Sequence, residues 1–145
     1  MIGAVGTGRV RTVDLHADQI QGFFDMSVDN VYSSPVLLAD IWRYHGDSDL
    51  IVVSPDVGGV ARARAIAKRL DDADLAILDK RRPRATEATV MQLIGEVEDK
   101  VCVLLHDIVA TAGTVPAAAA AAKNAVARTV VASSPHPGPA GRAER

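Results

Sequence analysis

The chain has 145 residues, of which 48% are hydrophobic and only 3% aromatic, so it is long enough for one domain with a core built mainly from Val, Ile, Leu and Ala. Its formal net charge of −2 argues against general binding to nucleic acid or to a membrane surface, both of which usually need a basic excess. No apolar stretch is long enough to predict a membrane span, and the single cysteine, Cys102, can form no intrachain disulfide. We therefore expect a soluble, cytoplasmic protein.

Strands and helices are predicted to alternate along the chain. Five segments are predicted to be strands, namely residues 9–16, 50–55, 74–80, 101–107 and 129–134. Most of them are continuous or nearly continuous apolar runs, which is typical of parallel strands covered on both faces. Three segments between them favour helix, namely residues 35–44, 58–70 and 114–127. The alternation predicts an α/β protein with a doubly wound sheet. Residues 86–97 fit either a helix or a strand, and the Pro- and Gly-rich tail is expected to fray.

The predicted strands end in polar or glycine-bearing segments. In chain order these segments read DLH, SPDVGG, DKRRPR, HDIVATAGT and SSPHP. In open α/β sheets, ligands bind beyond the carboxyl ends of the strands. The concentration of charge, histidine and glycine at these ends therefore indicates a ligand site.

The first predicted strand runs into DLHADQIQGFFDMSVD, which places Asp14, His16, Asp18, Asp25 and Asp29 within one short segment. Carboxylate oxygens together with one imidazole could hold Mg²⁺ next to a polyphosphate. The mix is not that of a stereotyped metal cage, so the alternative is a strand end with solvated acids.

The segment SPDVGG follows the second predicted strand and opens a helix. Gly58 and Gly59 would allow backbone N–H groups to approach an anion at the helix N-terminus. Asp56 would then require a metal ion between its carboxylate and the anion. The alternative is a simple strand-to-helix turn in which Asp56 caps the helix.

The segment DKRRPR, residues 79–84, carries four cations in a run of five residues. As a mobile loop it could close over a substrate and neutralise charge on a transferring phosphoryl group. The alternative is an exposed and solvated loop, which is what most charge runs are.

The segment ATAGT, residues 110–114, supplies two hydroxyls and a run of backbone N–H groups in front of a helix. That arrangement suits the dianion of a phosphate monoester. The alternative is a helix cap, in which Thr111 or Thr114 satisfies the first turn.

Taken in order, these segments resemble the ribose-phosphate pyrophosphokinase family, also called PRPP synthetases. The resemblance runs from about Arg9 to about His136 and rests on VDLHADQIQGFFD, NVYSSPVLL, VVSPDVGGVARARAIAKRL, DLAILDKRRPR and the TAGT loop. It implies a type I phosphoribosyltransferase-like (Rossmann-like) α/β fold with a mostly parallel sheet and flanking helices, and a strand within residues 86–97. It also implies transfer of the diphosphoryl group of ATP to ribose 5-phosphate with Mg²⁺, giving PRPP and AMP, in homo-oligomers that are often hexamers.

The resemblance also implies a domain division and a set of site residues. Residues 1–30 would be a remnant of the edge of an N-terminal domain, residues 31–136 a phosphoribosyltransferase-like C-terminal domain, and residues 137–145 a frayed tail. Lys80 would be the catalytic lysine and Arg82 its loop partner, both stabilising charge on the transferred group. The implied metal-site residues are His16 and Asp56, with Asp14, Asp25 and Asp29 as weaker candidates. The implied ribose 5-phosphate residues are Arg82, His106, Asp107, Ala110, Thr111, Ala112, Gly113 and Thr114.

The sugar loop departs from the family pattern, which has two adjacent acids and a third acid just before TAGT. The corresponding residues here are His106, Asp107 and Ala110, so two of the three acids are missing. A hydrogen bond to a charged group contributes roughly 1.5–3 kcal/mol. Losing two anchors therefore predicts a loss of about 3–6 kcal/mol, or about two to four powers of ten in affinity.

Three functions are compatible with these residues. The first is a ribose-phosphate pyrophosphokinase, impaired by His106 and Ala110 and by the absence of most of the first domain. The second is a non-catalytic subunit that binds intact synthetases and regulates them, which the same two residues favour. The third is a phosphoribosyltransferase that consumes PRPP. It shares the implied fold, but the DLHADQIQGFF and DKRRPR segments argue against it.

Overall fold

The computed structural model describes residues 1–81, 90–111 and 113–140, so Arg82 and Ala112 lie outside the described residues. The described part contains three α-helices, which are α1 (Ser34–His45), α2 (Val60–Ala67) and α3 (Thr114–Asn124). It also contains nine strands, which are β1 (Arg9–Val13), β2 (Ser27–Val31), β3 (Leu50–Ser54), β4 (Asp74–Arg81), β5 (Val90–Ile94), β6 (Val101–Leu105), β7 (Ile108–Thr111), β8 (Thr129–Ser133) and β9 (His136–Ala140). Two short 3₁₀ helices cover Gly3–Val5 and Asp18–Phe23.

A five-stranded sheet forms the centre of the fold. Its strand order is β5-β4-β3-β6-β8, and all neighbouring pairs are parallel except β4 and β5, which are antiparallel. Every residue of β3 and of β6 is buried, because helices cover both faces of these central strands. The chain is thus an α/β protein with a mostly parallel sheet and flanking helices, as the sequence predicts.

Successive side chains of β3 point to opposite faces of the sheet and join two apolar clusters. On one face, Val52 belongs to a cluster with Ile41 of α1 and Ile66 of α2. On the other face, Val53 belongs to a cluster with Ala118 of α3. The core is therefore aliphatic on both sides, as a chain with so few aromatic residues requires.

The helices form where the sequence pattern predicts them. Pro35 lies in the first turn of α1, where its missing N–H has no partner to lose. In α2, Ala63, Ile66 and Ala67 recur at helical spacing, and all three are buried. Within the described ranges, no helix is long and apolar enough to cross a membrane.

The segment at residues 86–97 contains a strand, β5, as the family resemblance implies, although residues 86–89 lie outside the described part. Gly95 ends this strand with a φ of 128°, a conformation that other residues rarely adopt. A Cβ atom at Gly95 would lie 2.7 Å from the Cβ of Ala76 on β4. Glycine therefore allows the chain to leave β5 in close contact with β4.

Two short parallel pairs lie outside the central sheet and differ from the sequence prediction. β1 pairs with β2, so the strand predicted at residues 9–16 belongs to a separate sheet and ends at Val13. β7 pairs with β9, so the expectation of a frayed tail is wrong for residues 137–140. The backbone groups of β7 give this Pro- and Gly-rich segment a partner that its composition alone does not reveal.

Candidate functional site

A cleft of about 680 Å³ opens beyond the carboxyl ends of β3 and β6. This is the edge of the sheet at which ligands collect in open α/β folds. Its polar lining includes Asp14, His16, Asp56, Arg62, His106 and Asp107. These side chains come from four separate stretches of the sequence, and the fold brings them to one place.

Asp56 is held by its own turn at the end of β3. The buried hydroxyl of Ser54 donates a hydrogen bond to the Asp56 carbonyl at 2.7 Å, and the Gly59 N–H donates to Asp56 Oδ1 at 2.8 Å. A Cβ atom at Gly59 would lie 2.8 Å from the Ser54 hydroxyl oxygen, so glycine is needed there. Asp56 thus holds the turn before α2 with one oxygen, although the N-cap residue of the helix is Gly59 and no side chain caps it. The other oxygen faces His106 Nε2 at 3.8 Å.

Asp107 is the most connected polar residue of the cleft lining. It is buried, and its Oδ1 accepts the Ile108 N–H at 2.8 Å and lies 3.0 Å from His106 Nδ1. Its Oδ2 accepts a hydrogen bond from His16 Nδ1 and lies 3.7 Å from Arg62 Nη1. Burial alone would raise the pKa of the Asp107 carboxyl, but the hydrogen bonds from His16 and Ile108, together with the charges of the two histidines, hold that pKa below its ordinary value.

One carboxylate oxygen of Asp14 binds the backbone and is therefore not available to a cation. Its backbone has a φ of 44°, its carboxylate is buried, and Oδ2 accepts the Ser33 N–H at 2.9 Å, just before α1. This bond ties the end of β1 to the start of α1. The residue lines the cleft, but one of its carboxylate oxygens is occupied by the backbone.

The structure does not bring Asp25 or Asp29 to the cleft. Asp25 is exposed and does not line it. Asp29 is bound by Arg9, whose Nε and Nη2 donate to its two oxygens at 2.7 and 3.0 Å, and Arg11 lies 3.9 Å away. The hydrogen bond from Arg9 lowers the pKa of Asp29. The parallel pairing of β1 with β2 sets these contacts, because it places Arg11 opposite Asp29.

Lys80, at the end of β4, reaches the start of α3. Its Nζ donates a hydrogen bond to the Thr114 hydroxyl at 2.9 Å. The predicted alternative, that Thr114 caps the helix, does not describe this hydroxyl, because the N-cap residue of α3 is Gly113 and no side-chain hydrogen bond caps the helix. Among the described residues, no atom lies within 4 Å of the place where a Cβ atom at Gly113 would be.

The sugar-loop candidates are only partly described. Lys80, Gly113 and Thr114 lie beside one another but do not line the cleft, whereas His106 and Asp107 do. The backbone of β7 carries Ala110 and Thr111, whose side chains, like all of Arg82 and Ala112, lie outside the described part. The candidates therefore form two neighbouring groups joined by the chain between residues 107 and 113.

Two residues that contact the polar side chains of the cleft are missed by the sequence analysis. Arg62 lies 3.7 Å from Asp107, but in the sequence it belongs to a basic patch at residues 62–69, which does not mark it as a cleft residue. Ser54 is completely buried and fixes Asp56, and its only sequence signal is a hydroxyl at the end of an apolar run. Their roles depend on distances across the fold, which the residue order does not give.

The described residues contain no group of three or more His, Cys, Asp or Glu side chains arranged to hold a metal ion. The closest approach to such an arrangement is the series Asp56, His106, Asp107 and His16, in which each member contacts the next. A cation bound here would therefore need further ligands from water or from a substrate.

Comparison with known proteins agrees with the fold. The family profile described as "Phosphoribosyl transferase domain" matches residues 35–144. A ribose-phosphate pyrophosphokinase from Xanthomonas axonopodis pv. citri is 70% identical over 94% of this chain and 43% of its own length. The corresponding protein from Marinomonas sp. is 63% identical over 99% of this chain and 45% of its own length. The chain thus spans less than half the length of these curated relatives.

Solved structures show the same likeness. The crystal structure of phosphoribosylpyrophosphate synthetase from Mycobacterium smegmatis matches 93% of this chain and 43% of its own chain, with a TM-score of 0.86 and 35% identity. A purine phosphoribosyltransferase from Pyrococcus horikoshii Ot3 matches 88% of this chain and 76% of its own, with a TM-score of 0.60 and 19% identity, which shows the fold alone. The chain therefore belongs to the phosphoribosyl transferase domain family, and along nearly its whole length it is similar to the ribose-phosphate pyrophosphokinases of that family.

Proposed function

We propose that the chain carries the sugar-phosphate and metal side of a ribose-phosphate pyrophosphokinase site, which transfers the diphosphoryl group of ATP to ribose 5-phosphate. The observation that carries the proposal is the 2.9 Å hydrogen bond from Lys80 to the Thr114 hydroxyl. It sets a cation at the N-terminus of α3, where backbone N–H groups favour the binding of a phosphate group. The identity of 63 to 70% with proteins named ribose-phosphate pyrophosphokinase supports the same reading.

In the proposed reaction, the C1 hydroxyl oxygen of ribose 5-phosphate forms a bond to the β-phosphorus of ATP. The bond between that phosphorus and the oxygen leading to the α-phosphorus breaks, so AMP leaves with that oxygen, and the sugar hydroxyl loses its proton. Gly113 and Thr114 would hold the 5-phosphate at the start of α3. Lys80 would offset the negative charge on the transferred group, with Arg82 as its loop partner.

Mg²⁺ is the proposed metal ion, and Asp56 and His16 are the proposed protein contacts. Mg²⁺ is usually held by one or two carboxylates together with substrate phosphates, so a site without three protein ligands suits it. Asp56 fits because its turn fixes Oδ1, while Oδ2 lies at the cleft 3.8 Å from His106 Nε2. When bound, the ion would neutralise charge on the ATP phosphates. In this scheme residues 31–136 are the catalytic domain of a cytoplasmic homo-oligomer.

Measurement of AMP formed from ATP at high enzyme concentration, with and without ribose 5-phosphate, tests this function. We expect AMP formation that depends on ribose 5-phosphate and falls by about 10²–10³ in Lys80→Ala, the size of loss that follows removal of one group stabilising a transition state. Lys68→Ala is the matched control, because Lys68 is an exposed lysine that neither lines the cleft nor belongs to the group of Lys80, Gly113 and Thr114. If no AMP forms under any of these conditions, catalysis by this chain is excluded.

A second candidate function is that of a non-catalytic subunit that binds full-length synthetases. The contacts of Asp107 favour it, because Ile108 and His106 contact Oδ1 while His16 and Arg62 contact Oδ2. A carboxylate with both oxygens in use is poorly placed to receive sugar hydroxyls. Co-expression with a full-length relative tests this function. We expect the two chains to purify together, and separate elution would exclude it.

A further inference from the structure

We propose that His136 is a positioning residue for the proposed reaction, because it holds the chain that leads to His16 at a fixed place relative to Asp107. His136 lies on β9 and does not line the cleft, so it acts through other residues rather than on a substrate. The inference rests on the proposed function, in which His16 contacts the metal ion and Asp107 belongs to the ribose 5-phosphate residues.

The side chain of His136 is bonded to the end of β1. Its Nε2 lies 2.8 Å from the carbonyl oxygen of Val13, the last residue of that strand. A carbonyl oxygen accepts hydrogen bonds and cannot donate them, so Nε2 carries the proton and donates it. The next residue is Asp14, whose buried carboxylate accepts the Ser33 N–H at 2.9 Å. The His136 bond therefore acts directly before the segment that ends at His16.

The main chain of His136 is bonded to the residues around Asp107. Its N–H donates to the Ser134 hydroxyl oxygen at 3.3 Å, and that hydroxyl donates to the Asp107 carbonyl at 3.1 Å. In the pairing of β7 with β9, His136 is also the register partner of Ile108. One residue thus contacts both parts of the site, through its side chain at β1 and through its main chain beside Asp107.

These contacts complete a closed ring, because the side chains of His16 and Asp107 are themselves hydrogen-bonded. The His16 side chain is 75% exposed, so water and ligands compete for that bond. The bonds through His136 use the carbonyl groups of Val13 and Asp107 and neither cleft side chain. They would therefore persist when His16 turns towards a metal ion, and would keep the end of β1 beside Asp107 at that stage.

The fixed placement matters because catalysis is sensitive to small displacements. A misplacement of about 1 Å, even when it arises far from the reacting atoms, lowers a rate by about 10²-fold. Neither Val13 nor His136 belongs to the central sheet, so loss of their bond would leave the strands of that sheet paired. The expected effect of removing the bond is a loss of alignment rather than a loss of the fold.

Amide hydrogen exchange of the full chain tests the inference without any ligand. His136→Phe keeps a ring but removes the donor, whereas His136→Gln keeps an N–H donor at a similar reach. The Asp14 N–H, which is bonded to the Val31 carbonyl at 2.9 Å, should exchange about tenfold faster in His136→Phe. His136→Gln should restore most of its protection. The Val52 amide, in the central sheet, should exchange at an unchanged rate in both variants.

The AMP assay supplies a second measurement. In a chain that forms AMP, His136→Phe should lower kcat by about 10–100-fold and change KM for ribose 5-phosphate much less, because the residue aligns groups and does not bind the sugar. His136→Gln should recover most of the rate. A residue that only stabilises the fold would reduce the folded fraction, which circular dichroism measures, and would leave kcat per folded chain unchanged.

His45→Phe is the matched control, because His45 is a histidine at the end of α1 that does not line the cleft. The inference is wrong if the Asp14 amide exchanges equally fast in His136→Phe and in the unchanged chain, or if His136→Gln exchanges as fast as His136→Phe. An active His136→Phe with unchanged kcat would also overturn it. If the exchange results are as expected but no chain forms AMP, the proposed reaction alone is excluded.

Discussion

Replacing Asp107 by asparagine should destabilise the fold by about 2–4 kcal/mol at neutral pH. The carboxylate is buried and accepts hydrogen bonds from the Ile108 N–H and from His16, with His106 Nδ1 also in contact. Asparagine keeps one acceptor oxygen, but its NH₂ group replaces the other oxygen and faces either the Ile108 N–H or His16 Nδ1, both of which donate. At least one buried donor then loses its partner.

The magnitude follows from the separate contacts. A hydrogen bond to a charged group contributes about 1.5–3 kcal/mol, and the part-buried bond from Ile108 should fall within that range. The bond from His16 contributes less because the His16 side chain is 75% exposed and solvent screens it. Arg62, at 3.7 Å, adds little. A loss of about 2–4 kcal/mol should lower Tm by roughly 6–16 °C in a domain of this size.

The loss should also depend on pH. Although burial alone would raise the pKa of Asp107, the hydrogen bonds from His16 and Ile108 bring it below the ordinary value of 3.8. Since the pKa is lower in the folded state, the carboxylate stabilises the fold at pH values above its unfolded pKa. That stabilisation disappears as the pH falls through the folded pKa. The difference between the two proteins should therefore be complete at pH 7 and shrink below about pH 4.

Urea unfolding at pH 7 and pH 3, followed by circular dichroism, measures both effects. Asp29→Asn is the matched control, because it removes a carboxylate of similar connectivity from an exposed ion pair with Arg9, where little stability is at stake. The reasoning fails if Asp107→Asn costs no more than the control at pH 7. It also fails if the difference persists undiminished at pH 3.

Three further outcomes are expected. Gly59→Ala should lower stability by about 1–3 kcal/mol in urea unfolding, because its Cβ would lie 2.8 Å from the buried Ser54 hydroxyl; an unchanged midpoint would contradict this contact. The double variant His106→Asp and Ala110→Asp should bind ribose 5-phosphate about 10²–10⁴ times more tightly in calorimetry, and equal affinity would show that the missing acids are not the defect. Phe23 is 86% exposed, and exposed apolar side chains favour association, so we expect the chain to self-associate in light scattering. Phe23→Ser should reduce that association, and a monodisperse monomer would contradict the prediction.

The central sheet could be predicted from the sequence because its signals are local. The run VCVLL around Cys102 is apolar at every position, which favours a strand covered on both faces, and β6 is buried throughout. The spacing of Ala63, Ile66 and Ala67 likewise predicts α2 and its buried face. Such patterns depend on neighbours within a few residues, which the sequence displays directly.

The outlying strands and several site contacts could not be predicted because they depend on distant partners. Asp29 was a metal candidate by its place in the motif, but its contact with Arg9 follows from the register between β1 and β2. The strand at His136–Ala140 exists through its pairing with β7, whereas its own composition indicates a loop. Conversely, the family resemblance assigns Lys80 and Thr114 to one site, and in the structure their side chains are hydrogen-bonded.

Strand β9, near the end of the described residues, helps to hold the sugar loop in place because it pairs with β7. Ile108 pairs with His136 and Thr111 with Ala140, and His136 Nε2 also donates to the carbonyl of Val13 at 2.8 Å. Proteolytic clipping after Ser134 would therefore remove a brace that touches both the sugar loop and the strand leading to His16. Small insertions or deletions in residues 136–140 would shift β7 and the end of β1 relative to each other. They would therefore misalign the sugar loop with the strand that leads to His16, although they lie far from both in sequence.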